Sequence, residues 1–465
     1  MNIITIMLDK KSSTPLFEQI YSHIKFEILN GNYIFNTKLP SKRKLADHLK
    51  CSQNTVQAAY NQLVSEGYLV SKQRSGYYVC KLDGILNISN KKNTKINSNS
   101  DKSKYKYHFS YHGVDLENFP FITWRRINRD SINEFDQDFF KAGHPQGLYE
   151  LRESICHYLR SSRSVKCIPE QIIISSGTEL ILQLLIQAFN ESSVFGLENP
   201  GYERLSLLFK SNNRQYKAIP LDKDGMILSS LERSAADIIS ITPSHQFPTG
   251  NIMPINRRIQ LLNWANQSPN RYIIEDDYDS EFKYSGKPIP SLQGLDNYGK
   301  VIYIGSFSKS LSPSMRISYA VLPQELLNEY KENLNFYICP VPYLEQKILH
   351  TFISEGYFER HLNKMRNIYK KKREALVLAI KELLPNADIS GENAGLHIIL
   401  NPNNGLTETE LVLRAKLKGV KVNALSQYYI NKDTRPSETQ LLLGFASLSE
   451  KEIYKAVNLL YDAWL

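Results

Sequence analysis

The sequence predicts an α/β chain in two parts. A small N-terminal unit has three helices closed by a β-hairpin; a large unit has a mainly parallel sheet covered by helices, with a smaller C-terminal α+β lobe. Three observations predict this. Apolar residues recur at helical spacing three times within the first 66 residues, and two β-prone runs follow them. Beyond residue 105, short β-branched runs alternate with helical patterns. Between the two lies an Asn/Ser/Lys-rich stretch with too little apolar surface to offset the entropy of ordering.

The first helix is expected over 14–29, with Thr14-Pro15 as cap and first-turn pair and Phe17, Ile20, Tyr21, Ile24 and Ile28 on one face. Gly31 ends it. A second, short helix starts at Ser41 and turns Leu45, Ala46 and Leu49 inward. A third runs from Gln53 to Glu66, burying Val56, Ala59, Tyr60 and Leu63 and showing Asn54, Gln57 and Asn61 on the opposite face. The runs YLVS and YYVC, joined by KQRSG, predict the hairpin. The domain boundaries follow: 1–81, a flexible linker at 82–104, and 105–465. In the last part QIIIS, DIISIT, RYIIED and KVIYIGS read as parallel strands, and AGLHIIL, VKVNAL and QLLLGF as strands of the smaller lobe.

Composition excludes several classes. With 42% hydrophobic and 22% charged residues, the 465-residue chain reads as ordinary globular protein able to bury a sizeable core. No apolar run approaches the ~20 residues of a membrane span, and MNIITIMLDKKSS reverses the order of a secretory signal. Five scattered cysteines, odd in number and without a CxxC pair, argue against a disulfide framework and a zinc site and for a reducing cytoplasm. The net charge of +10 is uneven. Residues 1–104 carry 16 Lys/Arg against 7 Asp/Glu, whereas the remainder carries 41 against 40. Such an excess on a patterned segment points to nucleic acid, because neutralising phosphates releases counterions.

Three helices and a hairpin describe a winged helix-turn-helix. The string LPSKRKLADHLKCSQNTVQAAYNQLVSEGYL, with RSGYYV behind it, resembles the GntR-type DNA reader over residues 14–80. The resemblance implies that the helix from Gln53 enters the major groove of double-stranded DNA. Gln53, Asn54 and Thr55 then lie at base edges, and the Ser52 and Thr55 hydroxyls at phosphates. Ser41, Arg43 and the wing's Lys72 and Arg74 are the expected backbone or minor-groove contacts. Many such readers have Arg where this chain has Gln53, so base preference does not carry over.

Lys309 stands just past a β-run in YIGSFSKSLSPSMRISY, where a strand end projects side chains into a cleft. Pyridoxal phosphate needs an amine of lowered pKa, and Arg316, seven residues on, supplies a guanidinium fork for a phosphate. Ser306 and Ser308 add hydroxyls. In RYIIEDDYDSEF a carboxylate can keep a pyridine nitrogen protonated, and Tyr278 can bond the ring hydroxyl. Of the two aspartates, Asp276 is chosen over Asp277 because it shares a strand face with Tyr278. IIISSGTELILQLL predicts strand, glycine loop and helix, whose Gly177 and Thr178 amides form an anion site. ENPGY brings Tyr202 as a lid on the ring. Taken singly, the SGT could be a plain N-cap and the EDDYD run an acidic turn or metal site; their joint order favours a cofactor.

Together HPQGLYELR, SSGTE, ENPGY, TPSHQFPTG, IIEDDYDSEF and FSKSLSPSMRISY resemble a fold-type I, class I/II aminotransferase domain, and specifically the MocR subfamily of GntR-type transcriptional regulators, its GabR-like members above all. The resemblance implies pyridoxal 5'-phosphate held as a Schiff base on Lys309, Asp276 on the pyridine nitrogen, Tyr278 on the ring hydroxyl, and the phosphate on Gly177, Thr178, Ser306, Ser308 and Arg316. It also implies a head-to-tail homodimer. Three departures qualify it. Phe247-Pro248-Thr249-Gly250 replaces Asn-Pro-Thr-Gly, with His245 the nearest polar substitute toward the cofactor. Leu442 stands where aminotransferases grip a substrate carboxylate with Arg. Gln427 follows Ser426 where the GABA-responsive relative has Arg, although its partner matches Arg204. The expected function is a regulator whose aminotransferase-like domain senses an amine, an amino acid or the cofactor itself. Because an amide supplies no charge, the effector is expected not to be GABA, or to be held differently, through Arg435; Arg204, Gln427 and Arg435 are the expected effector-binding residues. The alternatives are a working aminotransferase with an attached DNA reader, or a lyase or racemase with an accessory module.

Overall fold

The computed structural model describes residues 6–10, 12–82, 105–133, 141, 143–284, 289–431 and 438–465. Linker residues 83–104 and Arg435 lie outside the described residues. The chain divides into two compact units, Met1–Ser100 and Asp101–Leu465.

In the first unit, α1 (Leu16–Leu29) buries Ile20, Ile24 and Ile28. Its start differs from expectation. Pro15 occupies the cap with no side-chain bond, and the Thr14 N–H donates to Ser12 Oγ at 3.2 Å. Phe17 is 38% exposed rather than inward. α2 (Lys42–Leu49) is capped by Ser41, which accepts from the Lys44 N–H, and α3 (Gln53–Ser65) by Ser52, which accepts from the Thr55 N–H at 3.1 Å. The hairpin of β1 (Leu69–Lys72) and β2 (Gly76–Val79) is antiparallel, with Leu69 opposite Val79. Tyr60 is fully buried among these elements, where its hydroxyl donates to the Pro40 carbonyl at 2.9 Å. That bond removes the cost of burying a lone phenol.

The second unit is built on an eight-stranded sheet ordered Ile172–Ser175, Ser318–Val321, Val301–Ser306, Tyr272–Asp277, Ile238–Ile241, Phe195–Asn199, Tyr216–Asp222, Gly225–Met226. The five strands from Val301–Ser306 to Tyr216–Asp222 are mutually parallel; Ser318–Val321 and Gly225–Met226 run against their neighbours. The β-branched runs are buried on both faces, as helix-covered parallel strands must be. The smaller lobe is a four-stranded antiparallel sheet ordered Asp388–Ser390, His397–Asn401, Leu441–Gly444, Asn423–Ala424, beside the helices Tyr357–Leu383 and Glu450–Trp464. Among the described residues no helix is long and apolar enough to cross a membrane.

Candidate functional site

The carboxyl ends of parallel strands position the site. Tyr272–Asp277 and Val301–Ser306 lie side by side with Ile304 opposite Asp276, so the residues just past both ends enter one cleft. It encloses a cavity of about 180 Å³, whose walls include Lys309, Asp276, Tyr278, Tyr202, Thr178 and Arg316. Sequence reasoning named all six. Burial pushes the Lys309 amine down to about 8, with Asp279 opposing the shift, and its Nζ donates to the Tyr111 carbonyl.

The two aspartates part company because successive strand residues face opposite ways. Asp277 is committed. It accepts from Arg163 Nε at 2.8 Å and from the Tyr303 hydroxyl at 2.5 Å. Asp276 has no hydrogen bond or ion pair among the described residues. Burial, and then repulsion from Asp277 and Asp279, raises its carboxyl to about 7. A buried carboxyl that faces the cavity and makes no ion pair among the described residues fits a ligand that brings a positive charge to it.

Behind Tyr278 lies a pair the sequence only half revealed. The Tyr278 hydroxyl is 2.9 Å from His245 Nδ1, which is 3.0 Å from an Asp279 oxygen. His245 therefore does not line the cavity as expected; it reaches it through Tyr278. Its Nε2 is buried without a partner. A Cβ on Gly395 would sit 2.0 Å from the His245 ring, so this glycine makes room for the pair. His397 completes a buried cluster with His245 and Asp279, whose ligand-type atoms lie within 4.8 Å of one another. Cysteine spacing could not have signalled that cluster. Gln246 is spent on structure, donating to Pro200 O at 3.1 Å and accepting from the Thr249 N–H at 3.0 Å.

At the other end, the helix Thr178–Ala188 starts at Gly177, whose φ of +93° suits glycine. A Cβ there would lie 2.0 Å from Arg316 Nη2, so the guanidinium rests on bare backbone. One expectation is corrected: the Gly177 N–H donates to the Ser175 carbonyl at 3.1 Å, leaving the anion-facing amides to begin at Thr178. Ser306 Oγ donates to Ser308 Oγ at 2.9 Å. Glu179, which the sequence reading passed over, accepts from Arg316 Nη2 at 2.8 Å and stands 3.6 Å from Arg204 Nη1. Burial would raise its pKa, but the Arg316 hydrogen bond, its own backbone N–H and the charges of Arg316 and Arg204 together outweigh it and hold the carboxyl below its usual range.

The expected effector residues are not gathered. Arg204 lines the cavity; Gln427 is exposed and does not, and Arg435 is outside the described residues. Tyr428 turns inward instead, 5.1 Å from the Phe247 ring and 5.8 Å from Tyr111. Leu442 is fully buried. Tyr111, His112, Phe247 and His397 also line the cavity, and motif reading had no signal for the first two.

In the DNA-reading unit Gln53 and Asn54 are exposed at the start of α3, with Thr55 half-buried beside them. The Ser52 and Thr55 hydroxyls lie 2.8 Å apart and bond each other, and Ser41 and Ser52 cap α2 and α3, so these hydroxyls are engaged first at helix starts. Gln57 is tied to Asn61 and to the Tyr77 hydroxyl at 2.8 Å. Arg43, Lys72 and Arg74 are exposed, Arg74 at the hairpin turn with φ of +59° and Lys72 4.6 Å from the Tyr78 ring.

Residues 114–460 match the aminotransferase class I and II family, and residues 16–79 the gntR family of bacterial regulatory proteins. A helix-turn-helix DNA-binding unit joined to an aminotransferase-type unit is the class that fold and site define. The chain belongs to the MocR-like branch of the GntR-type transcriptional regulators. It is 41% identical over 463 residues to the HTH-type transcriptional regulator YdeL of Bacillus subtilis, covering 99% of both chains. It is 32% identical over 99% of its length, and 96% of the relative's, to the probable rhizopine catabolism regulatory protein MocR of Rhizobium meliloti. Among solved structures, an archaeal alanine:glyoxylate aminotransferase superposes with a TM-score of 0.70 at 26% identity, covering 78% of this chain and 91% of that one. These relatives favour the regulator over the working aminotransferase.

Proposed function

We propose that this chain is a DNA-binding transcription regulator whose aminotransferase-like unit binds pyridoxal phosphate at Lys309 and senses an amine, an amino acid or the cofactor itself. The observation that carries the reading is the division of labour between the aspartates. Asp277 is neutralised by Arg163, while Asp276 faces the Lys309 cavity with no cation beside it.

Bound there, the cofactor would supply an aldehyde that condenses with amines and a ring that withdraws electrons. Asp276 would hold a proton on the pyridine nitrogen, which restores its own charge by providing the missing cation. Tyr278, steadied by His245, would meet the ring hydroxyl. Thr178, Ser306, Ser308 and Arg316 would take the phosphate, and Tyr202 and Phe247 would bound the ring faces. Lys309, kept near pKa 8, is deprotonated often enough at neutral pH to bond the aldehyde and to be displaced by another amine. A displaced lysine changes DNA affinity only if the effector favours one arrangement of the protein energetically. Gln53, Asn54, Arg43, Lys72 and Arg74 form the proposed DNA face, the last three by charge. A head-to-tail homodimer in the cytoplasm belongs to the same reading; Phe121, Ile122 and Ile132 expose apolar surface along one helix that a second subunit could cover.

An absorbance spectrum of the purified chain with pyridoxal phosphate tests it. The expected result is a visible band that Lys309→Ala abolishes and that one amine from a panel shifts, with a parallel change in operator binding. Unchanged spectra in wild type and variant would refute it, and keto product accumulating over many cycles would decide for the enzyme.

A further inference from the structure

The charges lining the cavity leave little for an acidic ligand. Three cations line it among the described residues: Lys309, Arg316 and Arg204. Three carboxylates face them: Asp276, Asp279 and Glu179. Asp279 is occupied by His245. The proposed cofactor accounts for Lys309, Asp276 and, through its phosphate, Arg316. Arg204 is then the one cation left over, and it already stands 3.6 Å from Glu179. Burial, followed by the charges of Lys309 and Arg204, pushes the His112 imidazole down to about 4, so it adds no charge near neutral pH.

Cofactor binding would tighten this pairing. Glu179 now sits on Arg316 at 2.8 Å, in the first turn of the helix that would receive the phosphate. A phosphate of about two negative charges competes for the same guanidinium and repels the Glu179 carboxylate, whose remaining cation is Arg204. A ligand carboxylate arriving at Arg204 would therefore meet a cation already neutralised and an anion beside it. With Gln427 turned out to solvent and Leu442 buried, no second guanidinium compensates among the described residues.

We propose that Glu179, by holding Arg204, selects the effector class: a primary amine without a carboxylate. The inference rests on pyridoxal phosphate binding at Lys309. It makes Glu179 a specificity residue and explains why an acidic side chain stands where an anion is to bind.

The test uses the full chain loaded with pyridoxal phosphate and two matched probes, 4-amino-1-butanol and 4-aminobutanoate, each titrated by the shift of the visible band. Wild type is expected to respond to the alcohol at a concentration about two- to fivefold below that needed for the acid, the scale of a half-exposed ion pair. Glu179→Gln is expected to erase the difference and to bind the cofactor several-fold more tightly, since Arg316 loses its competitor. Glu179→Asp, which keeps the charge, should retain the wild-type order. Preference for the acid in wild type, or the same ratio in Glu179→Gln, overturns the proposal alone. A chain that takes up no pyridoxal phosphate overturns it together with the function proposed above.

Discussion

Gly177→Ala isolates the phosphate end of the cavity in a single methyl group. The added Cβ would lie 2.0 Å from Arg316 Nη2 and 2.6 Å from Cζ, where ordinary contact starts near 3.4 Å, so the guanidinium must retreat by about 1.4 Å. Residue 177 also has φ of +93° and ψ of 157°, a nearly glycine-only region that strains an L side chain by about 1–3 kcal/mol. In the proposed reading a retreat of that size would break the charge-assisted hydrogen bond that Arg316 would make to the cofactor's phosphate. Such bonds contribute about 1.5–3 kcal/mol, and the half-exposed position of Arg316 argues for about 1–2, or a five- to thirtyfold weaker cofactor. Titrating cofactor-free protein with pyridoxal phosphate and reading the visible band measures this directly. The double variant Gly177→Ala/Arg316→Gln separates the causes: if the methyl acts through Arg316, it adds nothing beyond Arg316→Gln alone. Unchanged cofactor affinity in Gly177→Ala, or full additivity in the double variant, would refute the reasoning.

Because burial pulls the Lys309 amine down to about 8, the reactive free amine gains population as pH rises from 7 to 9, and the rate of cofactor capture should climb about tenfold before levelling off; a flat stopped-flow profile would contradict the assigned amine. Burial raises Glu198 to about 7 against an ordinary 4.5, so the folded state binds the extra proton between those values and stability falls as pH rises through that window. Glu198→Gln, which keeps an acceptor for the Thr242 hydroxyl, should gain about 1–3 kcal/mol at pH 8 and flatten the slope in thermal melts. Arg163→Met removes the buried partner of Asp277 and should cost about 3–5 kcal/mol in chemical denaturation. For the DNA reader, Arg74→Ala should weaken binding alike on all sequences and lower the salt slope by about 1, whereas Gln53→Ala should act mainly on the preferred operator, as read in gel-shift titrations.

Much of this was legible in the chain, for reasons that differ by residue. The parallel strands showed because buried β-branched runs such as VIYIGS have no other use, and α2 and α3 because Ser41 and Ser52 mark their starts. Asp276 could be chosen over Asp277 because strand periodicity is strict; the structure adds Arg163, over a hundred residues away, as the reason the other aspartate is spent. What stayed hidden depends on tertiary meetings. Tyr111 and His112 reach the cavity from a segment with no motif. His397 joins His245 only when the small lobe packs onto the strand ends, their rings then 4.8 Å apart. Phe17 misled because a 3.6-residue period places it at the margin of the apolar stripe, where the core of a small unit ends. Gln427 misled because a match in sequence fixes position along the chain and not the side of a turn on which the residue lies.

In the proposed reading the cavity gathers, among the described residues, the groups that would bond an amine. Lys309, Asp276, Tyr278 and Arg316 line it together with Phe247, while Leu442 is fully buried outside it; the resemblance to aminotransferases would place Asn and Arg at those last two positions. Uniform loss of ligand grip would be costly for an enzyme, whose rate depends on positioning. A sensor needs only a difference in affinity between two arrangements, and about 1–3 kcal/mol suffices for a five- to 150-fold response. The structure offers a short route for such a difference. Lys309 Nζ donates to the Tyr111 carbonyl, and Ser110, one residue away, lies against Gly444 so closely that a Cβ there would be 2.2 Å from its carbonyl oxygen. Gly444 ends the Leu441–Gly444 strand of the small lobe. In the proposed reading, displacing the lysine would remove a bond from a segment wedged directly against that lobe, and an effector would act on the packing without any product being released.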